Sequence, residues 1–204
     1  MLLLNGTPDG FTIIYNLTSM FSYFVIFFRY FIIIMSVLWT IYAILNLWSV
    51  ANAQGGQPSK FLPTKSQPTA AGAWIQLFIA GITLSLAVSL APAAIFSSFL
   101  TGSSEYANIY TVKPYVAPTN QSTMQALFHN FIITVMQFMG LLAWFRGLSI
   151  WWNISQGTSD KTVGKVIGYF IFGTACFAIE WVNKLVANSI GFDFISILSG
   201  GGSG

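Results

Sequence analysis

Long apolar runs, separated by polar segments rich in Gly, Pro, Ser and Gln, make up most of the 204-residue chain. A hydrocarbon core about 30 Å thick is crossed by roughly 20 mostly apolar helical residues, and each run reaches that length. The pattern therefore predicts an all-α integral membrane protein with four transmembrane helices. The runs cover about residues 21–48, 73–100, 128–152 and 166–190.

The polar segments between the runs divide the chain into two predicted hairpins. The triplet Ala51-Asn52-Ala53 fits a signal-peptidase site. The apolar run before it, however, is much longer than the 7–15 or so residues of a signal peptide, so we expect the first helix to be retained. The predicted organisation is an N-terminal interfacial segment 1–20, a first transmembrane hairpin 21–100, an external loop 101–127, a second transmembrane hairpin 128–190 and a C-terminal tail 191–204.

The two predicted hairpins resemble each other when the second is laid over the first at a constant offset. Aliphatic matches are common in membrane segments, so the paired glycines carry most of the weight. The interpretation is an internal duplication that gives two similar hairpins related by an axis along the membrane normal. The matched positions are Gly72, Ile75, Phe78, Ile79 and Gly81 with Gly164, Ile167, Phe170, Ile171 and Gly173.

Orientation follows from the distribution of Lys and Arg in short loops, because basic residues favour the cytoplasmic side. The loops 49–72 and 153–165 carry more basic residues than the opposite side, so we expect both loops in the cytoplasm and both termini outside. The basic residues are Lys60, Lys65, Lys161, Lys165 and Arg146 on the cytoplasmic side, and Lys113, Arg29 and Lys184 on the other.

Tryptophan side chains lie beside both predicted cytoplasmic loops. Their amphipathic rings favour the headgroup region, so the positions support the helix boundaries. They are Trp48, Trp74, Trp151 and Trp152.

Composition strengthens the membrane interpretation and narrows the function classes. Only 6% of residues are charged, against about 25% in soluble domains. The eight basic residues form no cluster, so no nucleic-acid site is evident. With single His129 and Cys176 residues, no internal disulfide and no His-rich metal site are expected. No catalytic or cofactor-binding motif is recognisable, so we expect a protein that is not an enzyme and holds no cofactor.

Charged residues within apolar runs are costly and need an explanation. Arg29 and Arg146 lie near the ends of their runs, where they either snorkel to the headgroups or take a buried role. Glu180 precedes Lys184 by one helical turn, which favours a local ion pair. The alternative is that Glu180 faces a neighbouring helix or a water-filled path, where it pairs with an Arg of another subunit or binds protons.

Small residues on the fourth apolar run suggest close helix packing, because helices in lipid associate through close backbone approach. Gly164, Gly168 and Gly173 form such a face. Aromatic side chains such as Phe138 or Trp144 are suitable partners for it.

The stretch MQFMGLLAWFRGLSIWWNISQG, followed by KTVGKVIGYFIFGTACFAIEWVNKLVANSIG, carries a resemblance to a known family. It combines an FRGL-like helix end, a short polar turn and a Gly-spaced final helix, over about a quarter of the chain (residues 136–191). It resembles small multipass inner-membrane subunits of type IVB secretion and I-type conjugation systems (IcmC/IcmD/TraQ-like).

This resemblance implies a structural subunit of a secretion or conjugation apparatus in a bacterial inner membrane. Such a subunit is non-catalytic, contacts membrane lipids, and acts through homo-oligomers, a pilin-like assembly or other secretion-system subunits. Its termini are then periplasmic. The alternative function is a small proton-coupled transporter or channel that uses Glu180.

Overall fold

A computed structural model describes residues 10–54, 69–89, 92, 95, 124–159 and 162–191. These residues form five helices and no strand. The first three helices are long and apolar enough to cross a membrane, in agreement with the predicted helical, multi-pass membrane chain. The helices are α1 (Gly10–Gln54), α2 (Ala70–Ser89), α3 (Met124–Ser155), α4 (Val163–Phe177) and α5 (Ile179–Ile190).

Helix α1 is continuous over 45 residues. No Pro occurs in this range, and no Gly occurs after its first residue, so nothing in the sequence interrupts it. Residues 10–20, predicted as an interfacial segment, thus form the first turns of the same helix. Hydroxyl side chains of this helix bond to its own backbone, as the Thr18 hydroxyl does to the Ile14 carbonyl oxygen at 2.8 Å, which satisfies them without water.

The prediction of four continuous spans is not confirmed, because the fourth apolar run is broken. Ala178 leaves the helical conformation (φ −93°, ψ 33°), and α4 and α5 meet at 85°. The 15 residues of α4 measure only about 22 Å. The chain therefore has three candidate spans, or four if the bent pair counts as one. Beyond Ala178 the sequence becomes amphipathic, a pattern that favours an interface over the hydrocarbon core.

Two antiparallel helix pairs build the bundle: α1 packs most extensively on α2, and α3 on α4. Helix α3 also contacts α1 and α2, so it joins the pairs. The external loop predicted over 101–127 ends earlier, since α3 begins at Met124. The loops 55–68 and 101–123 and the tail 192–204 lie outside the described residues.

Aromatic rings fill the contact between α1 and α3. The ring of Trp39 stacks on Trp152, with centroids 4.9 Å apart, and on Phe145 at 5.9 Å. On α3 the contributing rings recur every seven residues, a spacing typical of helices packed side by side along their length. These rings are Phe131, Phe138, Phe145 and Trp152, and they meet Phe21, Phe24, Phe28, Phe31, Trp39 and Tyr42 of α1.

The matched glycines of the two hairpins occupy different surroundings. A Cβ at Gly81 would meet no atom within 4 Å, whereas one at Gly173, its counterpart, would lie 2.5 Å from Trp144 Cδ1. Helix α2 continues to Ser89, beyond the position that matches the break at Ala178. The two hairpins therefore share their antiparallel arrangement and differ in how their second helices pack and end.

Candidate functional site

Arg29 links α1 to the end of α2. Its Nε donates to the Ala87 carbonyl oxygen at 2.7 Å, and its Nη2 donates to the Val88 carbonyl oxygen at 2.6 Å. Val88 lies four residues before Pro92, which has no N–H, so the Val88 carbonyl oxygen has no donor within the helix. The guanidinium satisfies it, so Arg29 binds protein backbone within the bundle and not only headgroups.

Arg146 lies on the outside of α3 and is exposed. Among the described residues it has no hydrogen-bond or ion-pair partner. It lines a groove between α1, α3 and α4, together with Phe28 and Phe172. Its five donors are therefore available to a group from outside the described part of the chain.

Glu180 contacts His129 instead of Lys184. Its Oε1 lies 3.9 Å from His129 Nε2, and the two side chains are 36% and 38% exposed. Glu180 is in the first turn of α5, where the helix dipole favours a negative charge. The break at Ala178 accounts for this placement, because it turns Glu180 towards the beginning of α3. Lys184 is exposed and makes no ion pair with a described residue.

The three predicted packing glycines separate into one packed residue and two open ones. A Cβ at Gly173 would lie 2.9 Å from the Gly140 carbonyl oxygen and 2.5 Å from Trp144 Cδ1, whereas one at Gly168 would meet nothing within 4 Å. At Gly164 the one contact is Thr162 Oγ1 at 3.9 Å. Close backbone approach between α3 and α4 therefore involves Gly173, and the other two glycines face outward.

The glycines of α3 that face α4 were not predicted from the sequence. A Cβ at Gly140 would lie 2.8 Å from the Gly173 carbonyl oxygen, and one at Gly147 would lie 2.7 Å from Phe170 Cε1. Nearby, Trp144 Nε1 donates to Thr174 Oγ1 at 3.3 Å. The seven-residue interval between the two glycines was a signal that both lie on one face of α3.

A second missed feature is a buried polar bridge between α1 and α2. Asn46 Nδ2 donates to Gln76 Oε1 at 2.6 Å, and the two residues are 1% and 4% exposed. Asn46 Oδ1 has no hydrogen-bond partner. Polar side chains that bond across helices help to hold membrane helices together. The first and second apolar runs each carry a single amide residue. This was the available signal, but the pairing of two amides cannot be assigned from one sequence.

The tryptophan side chains that were predicted to lie in the headgroup region separate into exposed and buried ones. Trp48 and Trp74 are 57% and 62% exposed, in keeping with an interfacial position, but Trp152 is 5% exposed and stacks on Trp39. An indole at the end of a helix thus belongs to the belt or to the core depending on which face carries it.

The chemistry that these residues offer is recognition and packing. No group of three metal-ligating side chains occurs within the described ranges. What the bundle does present is a cationic groove at Arg146, a His129–Glu180 contact at a helix break, and a long exposed apolar face on α1. Comparison with protein-family models, curated proteins and solved structures gives no match, so the assignment of a function relies on this geometry and on the sequence resemblance.

Proposed function

We propose that this chain is a non-catalytic, multi-pass membrane subunit that acts by assembling with itself or with partner subunits. The proposed setting is a type IV (IVB or I-type) secretion or conjugation apparatus, in which a pilin-like assembly is one form of the homo-oligomer. The setting rests on the sequence resemblance. The assembly role is supported by the length and surface of α1.

Helix α1 is too long for the hydrocarbon core of a membrane. Its apolar part, Thr12–Asn52, has 41 residues and measures about 62 Å. Tilted by 40°, the upper end of the usual range, it still extends about 47 Å along the membrane normal, against a core of about 30 Å. Even at this tilt, the apolar part of α1 therefore extends beyond the hydrocarbon core by about 17 Å, measured along the membrane normal.

The ends of α1 that extend beyond the core expose large apolar side chains. Ile13 and Met20 are 45% and 44% exposed at one end, and Leu45 is 37% exposed at the other. The one charged residue of α1 is Arg29, which bonds to α2. Contiguous apolar surface outside lipid typically marks a protein interface. We infer that neighbouring subunits cover these ends, and this is the observation that carries the proposal.

The bent pair α4–α5 supports the predicted location of the C-terminus outside. His129 lies 26 residues before the end of α3 at Ser155, about 39 Å along the axis. Phe177, the last residue of α4, lies beside Gly140 near the middle of α3, and Glu180 in the first turn of α5 contacts His129 nearer the beginning of α3. We propose that α4 and the start of α5 together cross as a short, broken span, with the rest of α5 lying in the outer interface.

This arrangement retains the proposed topology in a bacterial inner membrane. Both termini are periplasmic, and the loops 49–72 and 153–165 are cytoplasmic. A local thinning of the bilayer accommodates such a short span.

Affinity purification from native membranes, without detergent, tests the proposal. The full chain is extracted in polymer-bounded lipid particles, and co-purifying chains are identified by mass spectrometry. We expect additional copies of this chain or subunits of a secretion or conjugation apparatus. Recovery of the chain alone as a monomer would contradict the proposal.

The alternative function, a proton-coupled transporter or channel, is favoured by the His129–Glu180 contact at the helix break. Broken helices and intramembrane acids often mark ion paths. Under this alternative, Glu180→Gln abolishes proton flux in liposomes while assembly is retained. Under our proposal, neither the wild-type protein nor Glu180→Gln conducts protons above empty liposomes. Lys184→Gln, one turn away on α5, is the matched control.

A further inference from the structure

An open groove runs along the outside of α3 and α4 in two adjoining compartments. The first, about 480 Å³, lies between α1, α3 and α4, and the second, about 550 Å³, lies between α3 and the first turns of α4. Tyr169 and Phe172 line both compartments, so the two adjoin. Each has the volume of a typical small-molecule site.

The groove combines an apolar wall with two positive charges. Met139 and Leu142 contribute to the wall of the first compartment, where Arg146 is the one charged residue. Lys165 is the one charged residue lining the second compartment. Both cations are exposed, and neither has a polar partner among the described residues.

No described carboxylate neutralises this pair. The one acidic residue within the described ranges is Glu180, which contacts His129. His129 precedes Arg146 by 17 residues on α3, a separation of about 25 Å along the helix axis. Among the described residues the groove is therefore lined by positive charge alone, which favours an anionic occupant.

The two cations lie at the end of the groove that is nearest to the turn between α3 and α4. Lys165 is two residues inside α4, and Arg146 is nine residues before the end of α3, about 13 Å from it. A long Arg side chain at this depth extends to the headgroup region. Both side chains thus lie towards the same interface, and Arg in particular suits the planar, bidentate binding of phosphate oxygens.

We propose that this groove binds an anionic phospholipid, whose phosphate is held by Arg146 and Lys165 and whose acyl chain lies along the apolar wall. Basic pockets between transmembrane helices on the cytoplasmic side are typical sites for anionic lipid headgroups. A second copy of the chain is a poorer occupant, because its exposed apolar face on α1 carries no acid to pair with the two cations. The site is independent of how the chain assembles.

Native mass spectrometry of the purified full chain in detergent tests the lipid site. Phosphatidylglycerol, phosphatidylcholine and inorganic phosphate are added separately, and retained ligand and melting temperature are measured. We expect retention of phosphatidylglycerol and a rise in melting temperature with that lipid alone. In the double variant Arg146→Gln/Lys165→Gln, the affinity for phosphatidylglycerol should fall at least tenfold. Lys184→Gln, at the other end of the bundle, should leave it unchanged.

Gly168→Leu provides a test that leaves the charges intact. A Cβ at Gly168 would meet no atom within 4 Å, so the variant should fold and place its side chain in the second compartment, which Gly168 lines. We expect weaker retention of phosphatidylglycerol, whereas Gly81→Leu, with equally open surroundings on α2, should bind as the wild type does. If the double charge variant does not fold, the comparison of Gly168→Leu with Gly81→Leu still tests whether the groove binds the lipid.

The proposal is overturned if phosphatidylcholine is retained as well as phosphatidylglycerol, because the charges then select nothing. It is equally overturned if inorganic phosphate alone gives the same rise in melting temperature, because the acyl chain then contributes nothing. A loss of binding in Lys184→Gln equal to that of the double variant indicates a general charge effect and also rejects the site.

Discussion

Gly140 and Gly173 bring α3 and α4 into backbone contact: a Cβ at Gly173 would lie 2.9 Å from the Gly140 carbonyl oxygen and 2.5 Å from Trp144 Cδ1. No side chain larger than hydrogen fits there without displacing the helix backbone. In a membrane, where lipid solvates apolar side chains, such close approach is a main source of helix association.

The Gly173→Ala variant should therefore separate α4 from α3. We expect it to lower the free energy of unfolding by about 1–3 kcal/mol, the usual cost of overpacking. Gly168→Ala is the matched control, because its side chain meets no atom and Ala favours a helix by about 1 kcal/mol. Unfolding of both variants by SDS titration in mixed micelles gives the comparison. Equal stability of the two variants would argue against the packed contact.

The hydrogen bonds from Arg29 to the end of α2 predict a second stability effect. Arg29→Gln removes two charge-assisted bonds to the Ala87 and Val88 carbonyl oxygens. One hydrogen bond to a charged group contributes about 1.5–3 kcal/mol, and the bond to Val88 is exposed, so the variant should unfold more easily by roughly the contribution of one such bond, with Arg29→Lys intermediate. Arg146→Gln, measured in a zwitterionic detergent, should leave the free energy of unfolding nearly unchanged. An unchanged unfolding midpoint for Arg29→Gln would contradict the capping role.

The Asn46–Gln76 bridge is best measured with a double-mutant cycle. Asn46→Leu alone leaves the buried Gln76 amide without its donor and should cost about 1–3 kcal/mol. The double variant Asn46→Leu/Gln76→Leu should cost less than the sum of the two single variants, because neither amide is then left without its partner. A coupling energy of about 0.5–1.7 kcal/mol is expected for such a bond between membrane helices. Strictly additive single-variant effects would show that the two amides do not interact.

The path of the C-terminal region predicts a specific labelling pattern. In a Cys176→Ala background, we introduce Asn188→Cys on α5 or Thr158→Cys in the turn after α3, since both positions are exposed. A membrane-impermeant maleimide added to intact cells with a permeabilised outer membrane should label residue 188 and not residue 158. Labelling of residue 158 alone would invert the topology, and labelling of neither would place α5 away from the periplasm.

Much of the helical architecture follows from the length of apolar runs, because a helix satisfies its backbone hydrogen bonds within a single membrane segment. The approximate starts of α3 and α4, and the pairing of helices into hairpins, could be predicted in this way from the sequence. The break at Ala178 is not, since neither Pro nor Gly marks it. Only the polar residues that follow, Glu180 and Asn183 among them, show that the apolar pattern changes there.

The polar contacts were harder to predict than the helices, because a contact depends on how helices are rotated against one another. Local spacing favoured Glu180 with Lys184, but the break turns Glu180 towards His129, 51 residues away in sequence. Arg29 likewise meets carbonyl groups about 58 residues away. The charges themselves were visible in the sequence, and their partners required the fold.

The oligomeric mass of the chain in native lipid is the most direct test of the central claim that this protein acts by assembly. The measurement is the protein mass of detergent-free particles, obtained by native mass spectrometry. Because apolar ends of α1 extend beyond the hydrocarbon core, we predict a multiple of 22.4 kDa or a complex with other membrane subunits. Particles that contain one 22.4 kDa chain and no other protein would contradict the account.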